Sequence, residues 1–97
     1  MLLISAKLIA KSGRVDDLVN LLSQIAAHAR KEAGVLAYDF YQNTENVNTF
    51  FMHEVYSDQT ALDEHRCNMQ PFHEQLMALL NESPEVNVWA PLSSIGE

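Results

Sequence analysis

The stretch that most constrains the fold is Phe50-Phe-Met-His-Glu-Val-Tyr56, followed at once by Ser57-Asp58. A run this short, apolar and rich in aromatic residues reads as a buried strand rather than a helix. Its period of two puts Met52, Glu54 and Tyr56 on one face. Asp58 is suited to cap a helix, because its carboxylate can accept from free amides one turn further on. Ala61, Leu62 and His65 then follow at helical spacing and share a face. One strand-to-helix corner therefore gathers a carboxyl group, a phenol and an imidazole among apolar neighbours. Shifted pKa values and chemistry concentrate in clusters of that kind.

The other elements arrange themselves around this corner. Leu2 to Ala10 alternates as a strand, with Leu2, Ile4, Ala6, Leu8 and Ala10 on one face. Ser12 is placed to cap the next helix. Val15, Leu18, Val19, Leu22, Ile25, Ala26 and Ala29 form its apolar stripe, the clearest in the chain. Gly34 ends that segment, at a position suited to left-handed backbone. Val35 to Gln42 is a second strand with Leu36, Tyr38 and Phe40 together, and polar Asn43 to Asn48 turns a hairpin into Thr49 to Tyr56. A short helix from Asp58 to Arg66 and another opening at Pro71 follow, the latter with Met69, Phe72, Leu76, Leu79 and Leu80 as its stripe. Val86 to Leu92 is the last strand. The order β-α-β-β-α-β predicts an α+β fold of the ferredoxin-like kind: an antiparallel sheet with helices on one face. Residues 1–97 form one domain.

The helices can cover only one face of such a sheet. Leu3, Ile9, Val35, Ala37, Tyr41, Phe51 and Val55 load the other with apolar groups, which predicts a symmetric homodimer packed sheet to sheet. A net charge of −7 argues against nucleic acid and anionic membrane surfaces as partners. No run approaches the length of a membrane-spanning helix. The lone cysteine, Cys67, excludes an internal disulfide and fits a reducing cytoplasm. No Cys or His spacing matches a zinc site, and no glycine-rich loop signals a nucleotide, so neither metal nor cofactor is expected.

Glu32-Ala-Gly34-Val-Leu36-Ala-Tyr38-Asp-Phe40, then Phe50 to Tyr56, then Asp58, Ala61-Leu62 and His65 together resemble the antibiotic biosynthesis monooxygenase (ABM) domain. The resemblance spans nearly the whole chain, with Gly34 to His65 its specific part. It implies a dimeric α+β barrel, and an activity akin to cofactor-free oxygenases of anthrones and quinols, haem-degrading oxygenases, or isomerases of a quorum-sensing autoinducer. Haem-degrading relatives use an Asn on the first strand, which Leu2 to Ala10 lacks, so haem is not expected. Tyr56 stands where many relatives carry Trp. Asn68-Met-Gln-Pro-Phe72 replaces a run that elsewhere holds a second histidine.

Glu54 is then either a base poised by desolvation or a structural carboxylate held by amides or by His65. His65 either binds and deprotonates an enol or phenol or fixes the corner through Glu54. Tyr56 joins them as the third candidate catalytic residue. Tyr38, Met52, Leu62, Phe40 and Phe72 are the candidate substrate pocket, with plain core packing the alternative for Tyr38. His53 has the opposite strand parity to Glu54, so the pair cannot converge on one ion, and Trp89 reads as dimer packing. The expected function is a cofactor-independent monooxygenase using O2 on a small electron-rich enol, phenol or quinol. The alternatives are an isomerase needing cations such as Lys7, Lys11 or Arg66 near the pocket, and a non-catalytic small-molecule-binding dimer.

Overall fold

A computed structural model describes residues 1–95. Strands β1 (Leu2–Ile9), β2 (Val35–Gln42), β3 (Thr49–Tyr56) and β4 (Glu85–Trp89) form one antiparallel sheet in the order β2-β3-β1-β4. Helices α1 (Val15–Ala29) and α2 (Gln59–Leu79) pack on one face, and a short helix α3 (Leu92–Ile95) follows β4. No helix among the described residues is long and apolar enough to cross a membrane. The β-α-β-β-α-β order is the one the periodicities predict. On β1, Ile4, Ala6 and Leu8 are buried, and each pairs across to an inward residue of β3: Glu54, Met52 and Phe50 respectively. Register is thereby fixed by burial, since a slip of one residue would turn Glu54 and its neighbours to the opposite face.

Several local expectations are corrected. Ser12 is not the cap of α1. Gly13 turns the chain at φ +78°, Arg14 is the capping position with no side-chain bond to the helix, and its guanidinium instead reaches Asp17 at 2.8 Å. Asp16 and Asp17 supply negative charge to the first turn. Leu21 joins the buried stripe, while Val19 is 40% exposed because it lies about a quarter-turn from the stripe's axis. Leu36 does not share a face with Tyr38 and Phe40. A β-bulge sets both Val35 and Leu36 against Tyr56, so Val35 packs into the core and Leu36 is left exposed.

The two expected helices of residues 58–80 are one. Asp58 caps α2 as predicted, accepting from the Ala61 amide at 2.8 Å. The helix then runs through Pro71. That residue and Cys67, whose carbonyl loses its helical donor, are both exposed. Across the proline the stripe Leu62, Met69, Phe72, Leu76 keeps its period against the sheet and α1, and this packing outweighs the missing bond. The last strand ends at Trp89, not Leu92.

Gly34 has a different role from the expected one. Its φ is not positive; among the described residues only Gly13 is left-handed. Instead, a Cβ at residue 34 would lie 2.3 Å from the Ala61 Cβ and 3.4 Å from its Cα. The missing side chain lets the first turn of α2 press onto the start of β2. Gly34→Ala is therefore expected to destabilise the fold by about 1–3 kcal/mol through overpacking. Denaturant melts check this, and an unchanged midpoint would show that the contact can relax freely.

Candidate active site

Glu54 and His65 are the two buried polar residues among those described, at 3% and 4% exposure, and they meet. Strand parity aims Glu54 toward the helices, between Ile4 of β1 and Tyr38 of β2. The Asp58 cap starts α2 so that His65, on the inner face with Ala61 and Leu62, returns over it. The His65 Nε2 lies 3.8 Å from the Glu54 Oε1. The same Glu54 oxygen accepts a short hydrogen bond from the Tyr56 hydroxyl. The other ring nitrogen, Nδ1, is 2.9 Å from the Glu32 Oε2, and the Asn68 Nδ2 donates to the Glu32 Oε1 at 2.9 Å. A line of polar groups thus runs from Asn68 on the surface through Glu32 and His65, and across a longer 3.8 Å step to Glu54 and Tyr56.

The imidazole is also flanked by two phenol rings. The Tyr38 and Tyr56 rings lie 5.1 and 5.3 Å from it at tilted angles. The Tyr38 hydroxyl faces the Met52 sulfur at 3.9 Å, a weak contact. Burial raises the Glu54 carboxyl above its ordinary range; the Tyr56 hydroxyl and the His65 ring pull the other way without cancelling it. Burial also pushes the Tyr38 and Tyr56 phenols well above theirs, and nearby Glu54 adds to the effect. Both phenols are therefore neutral donors at physiological pH.

A cavity of about 640 Å³ opens between α2 and the sheet beside this group. Each expected pocket residue lines it: Tyr38, Phe40 and Met52 from the sheet, Leu62 and Phe72 from α2. Glu54 and His65 line it too. Tyr56 does not; it is fully buried behind Glu54 and reaches the cavity only through that carboxyl. Of Lys7, Lys11 and Arg66, only Arg66 borders the cavity, and its side chain is exposed. Lys7 borders instead a smaller groove of about 400 Å³ on the uncovered sheet face. Among the described residues no three His, Cys, Asp or Glu side chains are grouped to hold a metal ion. Glu32 and Glu54 sit on opposite nitrogens of one imidazole and so cannot share an ion through it. His53, as its parity requires, is absent from the cavity wall.

Glu32 is the residue that sequence reasoning missed as part of the site. It belongs to the stretch from which the family resemblance was drawn, but it lies in the connection between α1 and β2, where no periodicity aims a side chain.

The sequence profile of the antibiotic biosynthesis monooxygenase family matches residues 1–74, which include every residue of this polar chain. Among solved structures, a Pseudomonas aeruginosa protein is 28% identical, covering 93% of this chain and 92% of its own, with a TM-score of 0.85. A Mycobacterium tuberculosis protein is 27% identical over 93% of each chain, with a TM-score of 0.86. SnoaB of Streptomyces nogalater, described as a cofactor-independent oxygenase, is 14% identical, covers 93% of this chain and 91% of its own, and superposes with a TM-score of 0.83, a likeness of fold alone. No curated protein matches by sequence. Matched over most of its length by the family's profile, this chain belongs to the antibiotic biosynthesis monooxygenase family.

Proposed function

We propose that the protein is a cofactor-independent monooxygenase of small electron-rich phenols, enols or quinols. The observation that carries this reading is the Glu54–His65 pair, buried on the wall of an otherwise mostly apolar cavity. A phenol seated there gives its proton to the imidazole, a base suited to pH 7. The resulting anion passes one electron to O2, and the radical pair closes to a carbon–oxygen bond. The hydroperoxide takes back the proton and loses water. One ring C–H and the O–H become a quinone, one oxygen atom enters the product and the other leaves as water, so O2 is the sole oxidant. The apolar wall keeps water from the anion and the peroxide. SnoaB's described activity is consistent with this chemistry on the same fold. The isomerase alternative needs cations at the ligand, and Arg66 is the single one of the expected three that borders the cavity. The exposed lone cysteine is in keeping with a cytoplasmic setting.

Oxygen uptake by the purified protein with an anthrone or naphthol-type phenol tests the activity. His65→Ala is expected to lower turnover by roughly 10²–10⁴. Uptake no faster than autoxidation with every such substrate would overturn the reading.

Glu54 carries its own signature. Its folded pKa is raised above the ordinary 4.5, so the folded chain binds more protons than the unfolded chain above that value. The stability contribution is complete below pH 4.5 and declines as pH rises toward the folded pKa. Glu54→Gln, which can still accept from Tyr56, is expected to remove that decline. Melts at several pH values check it, and an unaltered slope would place the charge elsewhere.

The partner in this reading is a second copy of the chain. On the face that α1 and α2 leave uncovered, Tyr41, Phe51 and Trp89 are 55%, 47% and 54% exposed, and the Trp89 indole donates to the Ser5 hydroxyl at 2.7 Å. Light scattering at micromolar concentration is expected to give twice the chain mass; a clean monomer would overturn the dimer.

A further inference from the structure

We propose that Glu32 is a positioning residue that holds His65 as its Nδ1–H tautomer, leaving Nε2 as a lone-pair acceptor beside Glu54 and the cavity. The proposal rests on the base role given to His65 above and names what sets it. A neutral imidazole carries one N–H, and the partner of one nitrogen decides the state of the other. The Glu32 Oε2 is 2.9 Å from Nδ1, and an ionised carboxylate only accepts, so the hydrogen of that contact sits on Nδ1. Glu54, at 3.8 Å from Nε2, is too far to compete for the tautomer by a direct hydrogen bond. Free histidine in water favours the opposite, Nε2–H form, which would offer the cavity a donor where proton abstraction needs an acceptor.

Glu32 is itself fixed at every point. Its amide donates to the Ala29 carbonyl at 3.0 Å, and its carbonyl accepts from the Val35 amide at 3.1 Å. The Asn68 Nδ2 holds the second carboxylate oxygen from two residues beyond the Arg66 that borders the cavity. The Tyr38 and Tyr56 rings pack against the imidazole at 5.1 and 5.3 Å. Glu32 is only 19% exposed, whereas a carboxylate with no task in this loop would face water. It touches no wall of the cavity, so its effect on a substrate passes through His65.

Long-range proton–nitrogen NMR of protein labelled with 15N-histidine, recorded above the ordinary imidazole range, reads the tautomer directly. His65 is expected in the Nδ1–H form in the unaltered protein and in the Nε2–H form in Glu32→Ala. With an oxidised substrate in hand, Glu32→Ala is expected to lower kcat at least about 10-fold, toward the roughly 10²–10⁴ of losing the base, with KM little changed. An Nε2–H form in the unaltered protein overturns the proposal without any variant, so a failure of Glu32→Ala to fold does not shelter it. An unchanged tautomer or unchanged kcat in that variant overturns it as well. Absence of turnover in the unaltered protein would count against the oxygenase reading alone, since the NMR arm needs no substrate.

Discussion

A carboxyl group buried in the middle of a sheet is the constraint on which the rest of this structure turns. Glu54 is 3% exposed between Ile4 and Tyr38, and an isolated charge there would cost far more than a small domain's net stability. The fold responds in two ways. It raises the carboxyl's pKa, so that a neutral form is within reach, and it supplies partners in the Tyr56 hydroxyl and the His65 ring. Only one of these partners is local. Tyr56 is two residues along the same strand, but His65 arrives only if α2 starts at Asp58 and lies close to the sheet. That closeness depends on Gly34, whose lack of a side chain makes room for Ala61. A glycine that contacts neither a substrate nor Glu54 is therefore a condition for the polar chain to assemble.

The two faces of the sheet make opposite use of alternation. Inward positions of β1 and β3 meet α1 and α2. Outward positions keep Tyr41, Phe51 and Trp89 half exposed, the face on which the proposed second copy would pack. The same alternation separates His53 from Glu54 by one residue and a whole sheet thickness of environment. Adjacent ionisable residues in sequence thus face different surroundings, whereas Glu32 and His65, far apart in sequence, share a polar contact.

Much of this was legible in the chain. Period-two burial in β3 and the Asp58 cap fixed the meeting of Glu54 with His65, and the pocket residues followed from the same parities. What periodicity could not reach lay where no period exists. Glu32 sits in a loop, and its aim is set by turns that close only when β2 and α2 are in place. The bulge at Val35 and Leu36 reverses an inference from strict alternation at those two residues, because both lie against Tyr56, while Tyr38 and Phe40 beyond it keep the expected face. Pro71 misled for a related reason. A proline disrupts a helix by a local loss of roughly 3 kcal/mol or more, but Leu62, Met69, Phe72 and Leu76 continue one apolar stripe across it. Tertiary packing of that stripe decides the matter in favour of one helix.

The cavity follows from the same contact that positions His65. At its N-terminal end α2 carries Ala61 against Gly34, small on small, and there Ile4, Tyr56, Ala61 and Leu62 close into a tight buried cluster. Farther along, the residues facing the sheet are long: Met69, Phe72, Leu76 and Met77, with Phe40 and Met52 opposite. All six are only partly buried. These long side chains line the cavity between α2 and the strands. Glu54 and His65 are on the wall of the same cavity, beside these apolar residues. Methionine and phenylalanine suit such walls because they adapt to an occupant at low cost. A ligand entering this space would present one polar head to Glu54 and His65 and lay its apolar body between α2 and the sheet. The asymmetry that orients it comes from two polar side chains set into a wall that is otherwise mostly apolar.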